Sequence, residues 1–443
     1  MSSLWCELAW ISGPRAEAGV LLELDGERIT SVTPGVEEPP PGAQRLDGLV
    51  IPGLANGHSH AFQRALRGRT HAATGSFWTW REQMYELAAG LDPDSVLALA
   101  RATFAEMALA GVTLVGEFHY LHHGPGGLAY EDPNAVGAAL LEAAAQAGVR
   151  ITLIDACYLH GGPGREPDAV QRRFCDPSAV AWAERVDALR PGPGARVGAA
   201  IHSLRAVAPE SAAIVAEWAQ QRSVPLHAHV SEQPAENQAC LEAYGATPTG
   251  LLERAGALSE RFTAVHATHA SDHDVALLGG ARACCCLCPT TERDLADGIG
   301  PARRLLDAGA RLTLGSDSNA MIEPFEEARA VELDERLATG VRGHHEPAGL
   351  LAAATRDGYA SLGWPEGGAL APGALADLVR VGLDGVRMAG ARGGDPVATL
   401  IFAGAAADVR DVIVGGRLIV RDGVHASLDV PRELAAVLAA LWP

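Results

Sequence analysis

Residues 51–68 read IPGLANGHSHAFQRALRG. The apolar run from Ile51 to Ala55 leads into His58 and His60, one residue apart, and then into Gln63, Arg64 and Arg67. In an extended strand, side chains at i and i+2 share a face. Two imidazoles leaving a buried strand in this way can grip one metal ion. Two loop histidines beside an entry to the core would look the same over so short a stretch, so the rest of the chain decides between them.

Seven more apolar runs follow: 113–118 (TLVGEF), 151–156 (ITLIDA), 197–202 (VGAAIH), 225–230 (PLHAHV), 263–267 (TAVHA), 283–288 (ACCCLC) and 311–316 (RLTLGS). Stretches with helical spacing alternate with them, such as PDSVLALARATFAEMALAGV and PESAAIVAEWAQQR, with Gly111 and Gly148 as stop signals just before the next strand. Near-continuous apolar strands alternating with helices predict a parallel sheet covered on both faces. Eight such units predict a (β/α)8 TIM barrel over residues 51–370. The ends carry short alternating patterns with turns (GVLLELDGERITSV, ADLVRVGLDG, VRDVIVGGRLIVRDG). They predict a small β-sandwich domain built from both termini, residues 1–50 and 371–443.

In a barrel of this kind chemistry sits at the carboxyl ends of the strands. His58 and His60 follow the first strand, and His202 ends the fourth. His227 and His229 lie in the fifth, with Glu232 beyond, His266 ends the sixth, and Asp317 follows the eighth in LTLGSDSN. Ionisable groups at so many strand ends are hard to explain as core histidines. As a set they supply nitrogen and oxygen donors suited to Zn²⁺.

Composition narrows the class. The 443 residues are 48% hydrophobic and 20% charged, with a net charge of −19 and no basic patch, which excludes a nucleic-acid partner. No apolar stretch has the length of a membrane span and no basic-then-apolar leader opens the chain, so a cytoplasmic protein is expected. Four of the eight cysteines crowd into Cys284–Cys288. Alternation of faces rules out a local tetrahedral site, and buried reduced thiols in a reducing compartment are expected. All 35 basic residues are arginine. No lysine is available for a Schiff base, a P-loop or a carbamate bridge between two metals.

The order of GHSH after the first strand, His on the fifth and sixth, and GSDS after the eighth resembles the amidohydrolase superfamily over the whole chain. Within it, NGHSHAFQRALRG, SFWTWREQMY, EFHYLHH, HSLRAV, HAHVSEQ and CPTTERDLADGIG resemble the N-formimino-L-glutamate deiminases of bacterial histidine degradation. One departure is Arg293 and Asp294 in TERDLADG, where smaller or neutral residues are expected. The resemblance implies one Zn²⁺ per chain, or another divalent metal, held by His58, His60, His229 and Asp317. It implies His266 and Asp317 beside the water that the metal activates, and Glu232 as the proton shuttle to the leaving nitrogen. It implies Gln63, Arg81, Tyr120, His202 and Arg205 as the residues that hold a small dianionic substrate. His227 is read as a core or supporting residue. The implied reaction is hydrolytic deimination of N-formimino-L-glutamate to N-formyl-L-glutamate and ammonia, by an expected homodimer.

Because the protein is itself acidic, long-range steering opposes an anionic substrate, and local guanidinium groups must capture its carboxylates. The alternatives are another mononuclear member, such as an imidazolonepropionase or a purine-type or cyclic-amidine deaminase; a binuclear amidohydrolase, which the absence of lysine disfavours; and a metal-free scaffold that has lost catalysis.

Overall fold

The computed structural model describes residues 2–71 and 74–442. Strands β1 (Ser2–Ala9), β2 (Glu17–Asp25), β3 (Arg28–Thr33) and β4 (Gln44–Pro52) open the chain. Eight barrel strands follow: β5 (Leu54–Ser59), β6 (Val112–His119), β7 (Arg150–Cys157), β8 (Ala195–Ile201), β9 (Leu226–Val230), β10 (Phe262–His266), β11 (Cys284–Leu287) and β12 (Arg311–Leu314). After them come β13 (Leu378–Val381), β14 (Val409–Val414), β15 (Arg417–Arg421) and β16 (Val424–His425).

Strands β5 to β12 pair in sequence order, all parallel. Covered on both faces, they are buried at nearly every position, which is why they read as apolar runs and not as alternating ones. The circle closes above the strands: Ser59 bridges Asp317, Asp317 N donates to His58 O at 3.0 Å, and His60 N donates to Asp317 O at 2.9 Å. The seam is tight. A Cβ on Gly315 would stand 2.8 Å from the His58 carbonyl oxygen and 3.0 Å from Cys288 Sγ, so only glycine lets the last strand approach the first.

The terminal strands form one continuous sheet in the order β16-β15-β14-β13-β4-β1-β2-β3, antiparallel except at β1–β4. Strand β4 runs on to Pro52, where it pairs with Leu378 of β13. The apolar run that opened the sequence reading thus belongs to two sheets, and the chain changes from one to the other at Gly53. The C-terminal segment also holds helices, at Pro396–Ala403 and Val430–Leu441. The second of these packs against helix Pro93–Leu109 of the barrel. Among the described residues no helix is long and apolar enough to cross a membrane. The eight cysteines are unpaired, and all but the half-buried Cys175 are buried, Cys284–Cys286 and Cys288 included.

A buried ion cluster anchors the long loop after β7. Arg185 donates to Asp155 at 2.8 and 2.9 Å and to Asp176 at 2.8 and 3.0 Å. Burial disfavours both charged carboxyls, yet Arg185 at Asp155, and His123 together with Arg185 at Asp176, outweigh it and hold them below the usual range. Carboxyls depressed in the folded state stabilise it above their ordinary pKa near 4, and that contribution is lost as pH falls below it. Arg185→Met is expected to cost about 3–5 kcal/mol at pH 7, because two buried charges lose their partner. The urea midpoint should show the loss, and the difference from the parent should shrink on acidification below about pH 4.

Candidate active site

The barrel's seam and the end of β9, across the barrel from it, bring four donor atoms into a circuit. His58 Nε2 lies 3.2 Å from His229 Nε2, which lies 3.4 Å from His60 Nε2. His60 Nε2 lies 3.4 Å and His58 Nε2 3.3 Å from the same Asp317 Oδ1. Ligands roughly 2.0–2.1 Å from one zinc ion, at angles of about 90–110°, stand roughly 2.9–3.4 Å from each other. The four residues fit one such ion. Two of the three outer histidine nitrogens are fixed too: His60 Nδ1 is 2.9 Å from Phe118 O, and His229 Nδ1 is 2.9 Å from His202 O. Each leaves Nε2 as the free donor, the arrangement that supports metal ligation. His58 Nδ1 is buried without a partner. Burial keeps His58 and His229 well below the ordinary histidine pKa and, helped by His58, pushes His60 down to about 3. Neutral imidazole is the ligating form.

Beside the circuit stand His266 and Glu232. His266 Nε2 has no hydrogen-bond partner and lies 3.8 Å from Asp317 Oδ2 and 3.9 Å from Glu232 Oε1. Its Nδ1 faces Glu292 Oε1 at 3.3 Å. Burial alone would lower its pKa, but Glu292, Glu232 and Asp317 together push it up to about 10. A dication among the same carboxylates would oppose that rise. Both His266 (φ 69°) and Asp317 (φ 44°) adopt left-handed backbone conformations that non-glycine residues rarely take. Such strain is held only where the surroundings over-determine it, and it clusters at functional sites.

A cleft opens over these groups. Of the residues expected to hold substrate, Gln63, Arg81, Tyr120, His202 and Arg205 all line it. Gln63 Nε2 donates to the Tyr120 hydroxyl at 2.9 Å, and Gln63 Oε1 is left without a partner. The two arginines differ. Arg205 Nη2 donates to Glu232 Oε2 at 2.8 Å, so the guanidinium expected to read a carboxylate is already paired with the expected proton shuttle. Arg81 forms no ion pair among the described residues. It lies over the rings of Trp78 and Tyr85, with a buried, unpartnered Nε. His227 is not part of the circuit; its Nε2 lies 3.2 Å from Ser361 O, as in a core histidine.

Glu292 lies within CPTTERDLADGIG, three residues after the helix start at Pro289, a position that gives no sign along the chain of its contact with His266. The residues Tyr158, Gln171 and Phe174 also line the cleft. They lie on or just before the irregular loop after β7, where no periodicity marks them. The unexpected Arg293 and Asp294 are paired, with Glu326 at 2.9 Å and His71 at 2.6 Å, and neither lines the cleft. A second cluster, His119, His122 and Asp155, also has ligand-like spacing. There, however, Asp155 already accepts from Arg185 and Trp182, so the cation in that cluster is a guanidinium.

Residues 49–419 match the model of the amidohydrolase family. The chain is 40% identical to a formimidoylglutamate deiminase of Pseudomonas aeruginosa over 399 residues, 87% of each chain. It is 32% identical to an 8-oxoguanine deaminase of the same species, over 97% of this chain and 98% of that relative. Among solved structures, an amidohydrolase from Brucella melitensis superposes with a TM-score of 0.91 at 32% identity, covering all of both chains. A zinc-complexed atrazine chlorohydrolase from Arthrobacter aurescens superposes with a TM-score of 0.85 at 25% identity, again over both whole chains. A barrel whose seam gathers histidines and an aspartate, matched by hydrolases along its full length, leaves one assignment: the chain belongs to the amidohydrolase family.

Proposed function

We propose that the chain is a zinc-dependent deiminase that hydrolyses N-formimino-L-glutamate to N-formyl-L-glutamate and ammonia, a step of histidine degradation. The observation that carries this reading is the cleft's polarity. The donor circuit with its two proton-handling neighbours occupies one end, and an unpaired guanidinium, Arg81, waits in the wall. A compact electrophile attached to an anionic tail suits both, and the 40% identity to a formimidoylglutamate deiminase supports the choice. A reducing cytoplasm suits the unpaired thiols.

In this reading His58, His60, His229 and Asp317 hold one divalent ion, whose role when bound is to lower the pKa of a water toward about 7. The water oxygen adds to the formimino carbon, and the bond from that carbon to the terminal nitrogen breaks. Glu232 carries both protons of that water, one after the other, to the departing nitrogen, which leaves as ammonia while the oxygen stays on the carbon as the formyl carbonyl. His266, whose Nδ1 is turned to Glu292, keeps Nε2 aimed at the space between Glu232 and Asp317 and steadies the oxygen as charge builds. Arg205 orients Glu232 by their shared hydrogen bond and, with Gln63, Tyr120 and His202, receives the α-carboxylate.

Turnover tests the proposal: the zinc form should release ammonia from N-formimino-L-glutamate, and no release would reject it. Arg81→Met should lower kcat/KM for this substrate by roughly 10- to 200-fold, the equivalent of about 1.5–3 kcal/mol for a charge-assisted hydrogen bond. Arg81→Lys should recover only part, because an ammonium lacks the planar fork. A second reading, deamination of a flat ring, draws on the aromatic wall of Phe77, Trp80, Tyr85, Tyr158 and Phe174. Faster ammonia release from 8-oxoguanine than from N-formimino-L-glutamate would favour it.

A further inference from the structure

The cleft contains a group of hydrogen-bond donors that the proposed mechanism does not use. Gln171 is buried in the loop after β7, and its Oε1 accepts from the Asp168 backbone N–H at 3.0 Å. Its amide nitrogen donates to the hydroxyls of both Tyr158, at 3.0 Å, and Tyr85, at 3.2 Å. That leaves the hydrogens to be counted. A carboxamide nitrogen carries two, and a phenol carries one and also accepts. With both amide hydrogens directed at the two oxygens, each phenol still has one hydrogen to place. Neither hydroxyl donates to a protein acceptor among the described residues, and both phenols line the cleft.

The same corner holds Arg81. Its guanidinium lies 5.4 Å from the Tyr85 ring centroid and 4.6 Å from that of Trp78, and its Nε is buried without a partner. A cation and two hydroxyls with hydrogens to donate, set among Phe77, Met84 and Phe174, make a place where an anion gains and a cation or an apolar group loses.

The corner is also remote from the donor circuit. The His229 ring stands 5.1 Å from that of His202, which stands 4.5 Å from Tyr158, so Tyr158 lies one ring beyond His202. We infer that Tyr158, Tyr85 and Gln171 form, with Arg81, a distal carboxylate site that reads the end of the substrate farthest from the reacting carbon, and that Gln171 is its positioning residue. The inference rests on the proposed substrate class for its ligand, a dicarboxylate of glutamate length.

The loop is built to hold this corner still. The Arg173 guanidinium, buried two residues beyond Gln171, donates to three backbone carbonyls: His123 at 3.0 Å, Leu91 at 2.5 Å, and Ala88. In return His123 N donates to Arg173 O at 2.8 Å. Helix Phe77–Gly90, which carries Arg81 and Tyr85, is thereby tied to the loop that carries Gln171.

Binding of the reaction product tests the site without requiring turnover. Calorimetric titration of the zinc-loaded protein compares N-formyl-L-glutamate with N-formyl-L-norvaline, in which a methyl group replaces the side-chain carboxylate. The parent should bind the glutamate compound at least about tenfold tighter. Tyr158→Phe should weaken it by about tenfold or more while changing the norvaline compound by less than about twofold. Gln171→Glu keeps the shape, replaces the two donor hydrogens with negative charge, and should abolish the preference. Equal weakening of both ligands, or an unchanged preference in both variants, would overturn the site. If the parent prefers the glutamate compound and the variants lose that preference but no ammonia is released in the turnover assay, the site stands and the proposed reaction falls.

Discussion

Asp317→Asn and His229→Ala should each strip the metal from the protein and reduce turnover by about 10³-fold or more. Asp317 meets two histidine nitrogens at 3.3 and 3.4 Å through one oxygen, and His229 meets two at 3.2 and 3.4 Å. Removing either breaks the circuit at two edges. The size of the effect follows from the several kcal/mol that a bound Lewis acid contributes to a hydrolytic barrier, at about 1.4 kcal/mol per tenfold. Elemental analysis of the parent should return one divalent ion per chain, since no lysine exists to carry a bridging carbamate. Full zinc content with a near-parental rate in either variant would remove that residue from the ligand set.

The second large effect is expected at Glu232. Glu232→Gln keeps the volume and removes the carboxylate that moves the proton, so kcat should fall by about 10²–10⁴-fold while metal content stays at the parental level. Because Arg205 donates to this carboxylate at 2.8 Å, the variant also frees a guanidinium within the cleft. Substrate binding should therefore hold or tighten while kcat collapses, and a joint measurement of kcat and KM separates the two. A variant that loses zinc along with activity would instead make Glu232 a support of the metal centre.

These expectations trace back unevenly to the sequence. The barrel was legible because strands covered on both faces have no polar side to show, and an ionisable residue at the end of such a run stands out. His58, His60, His229, His266 and Asp317 were visible for that reason. The change of sheet at Gly53 was hidden because Ile51 and Leu54 are equally apolar whichever sheet buries them. The pairing of Arg205 with Glu232, and of His266 with Glu292, joins residues on different strand-end loops, which spacing along one strand does not report. Gln171 and Arg173 were hidden for a third reason. Their loop takes its shape from carbonyls of other segments, those of Ala88, Leu91 and His123, and carries no period of its own.

The closure of the barrel through Ser59 and Asp317 has a consequence for assembly. In the proposed metal site two ligands leave the first barrel strand, one leaves the fifth, and the aspartate follows the eighth, so the full donor set is dispersed until the last strand docks beside the first. A chain stalled part-way through folding offers a metal ion two histidines at most before β9 forms and three before β12 closes. Affinity for the ion then rises in steps with completion of the barrel, and the ion in turn fastens the ends of the circle together. With the proposed ligand set, occupancy of the site would act as a check on folding, the ion being retained by finished molecules and surrendered by those whose seam has opened.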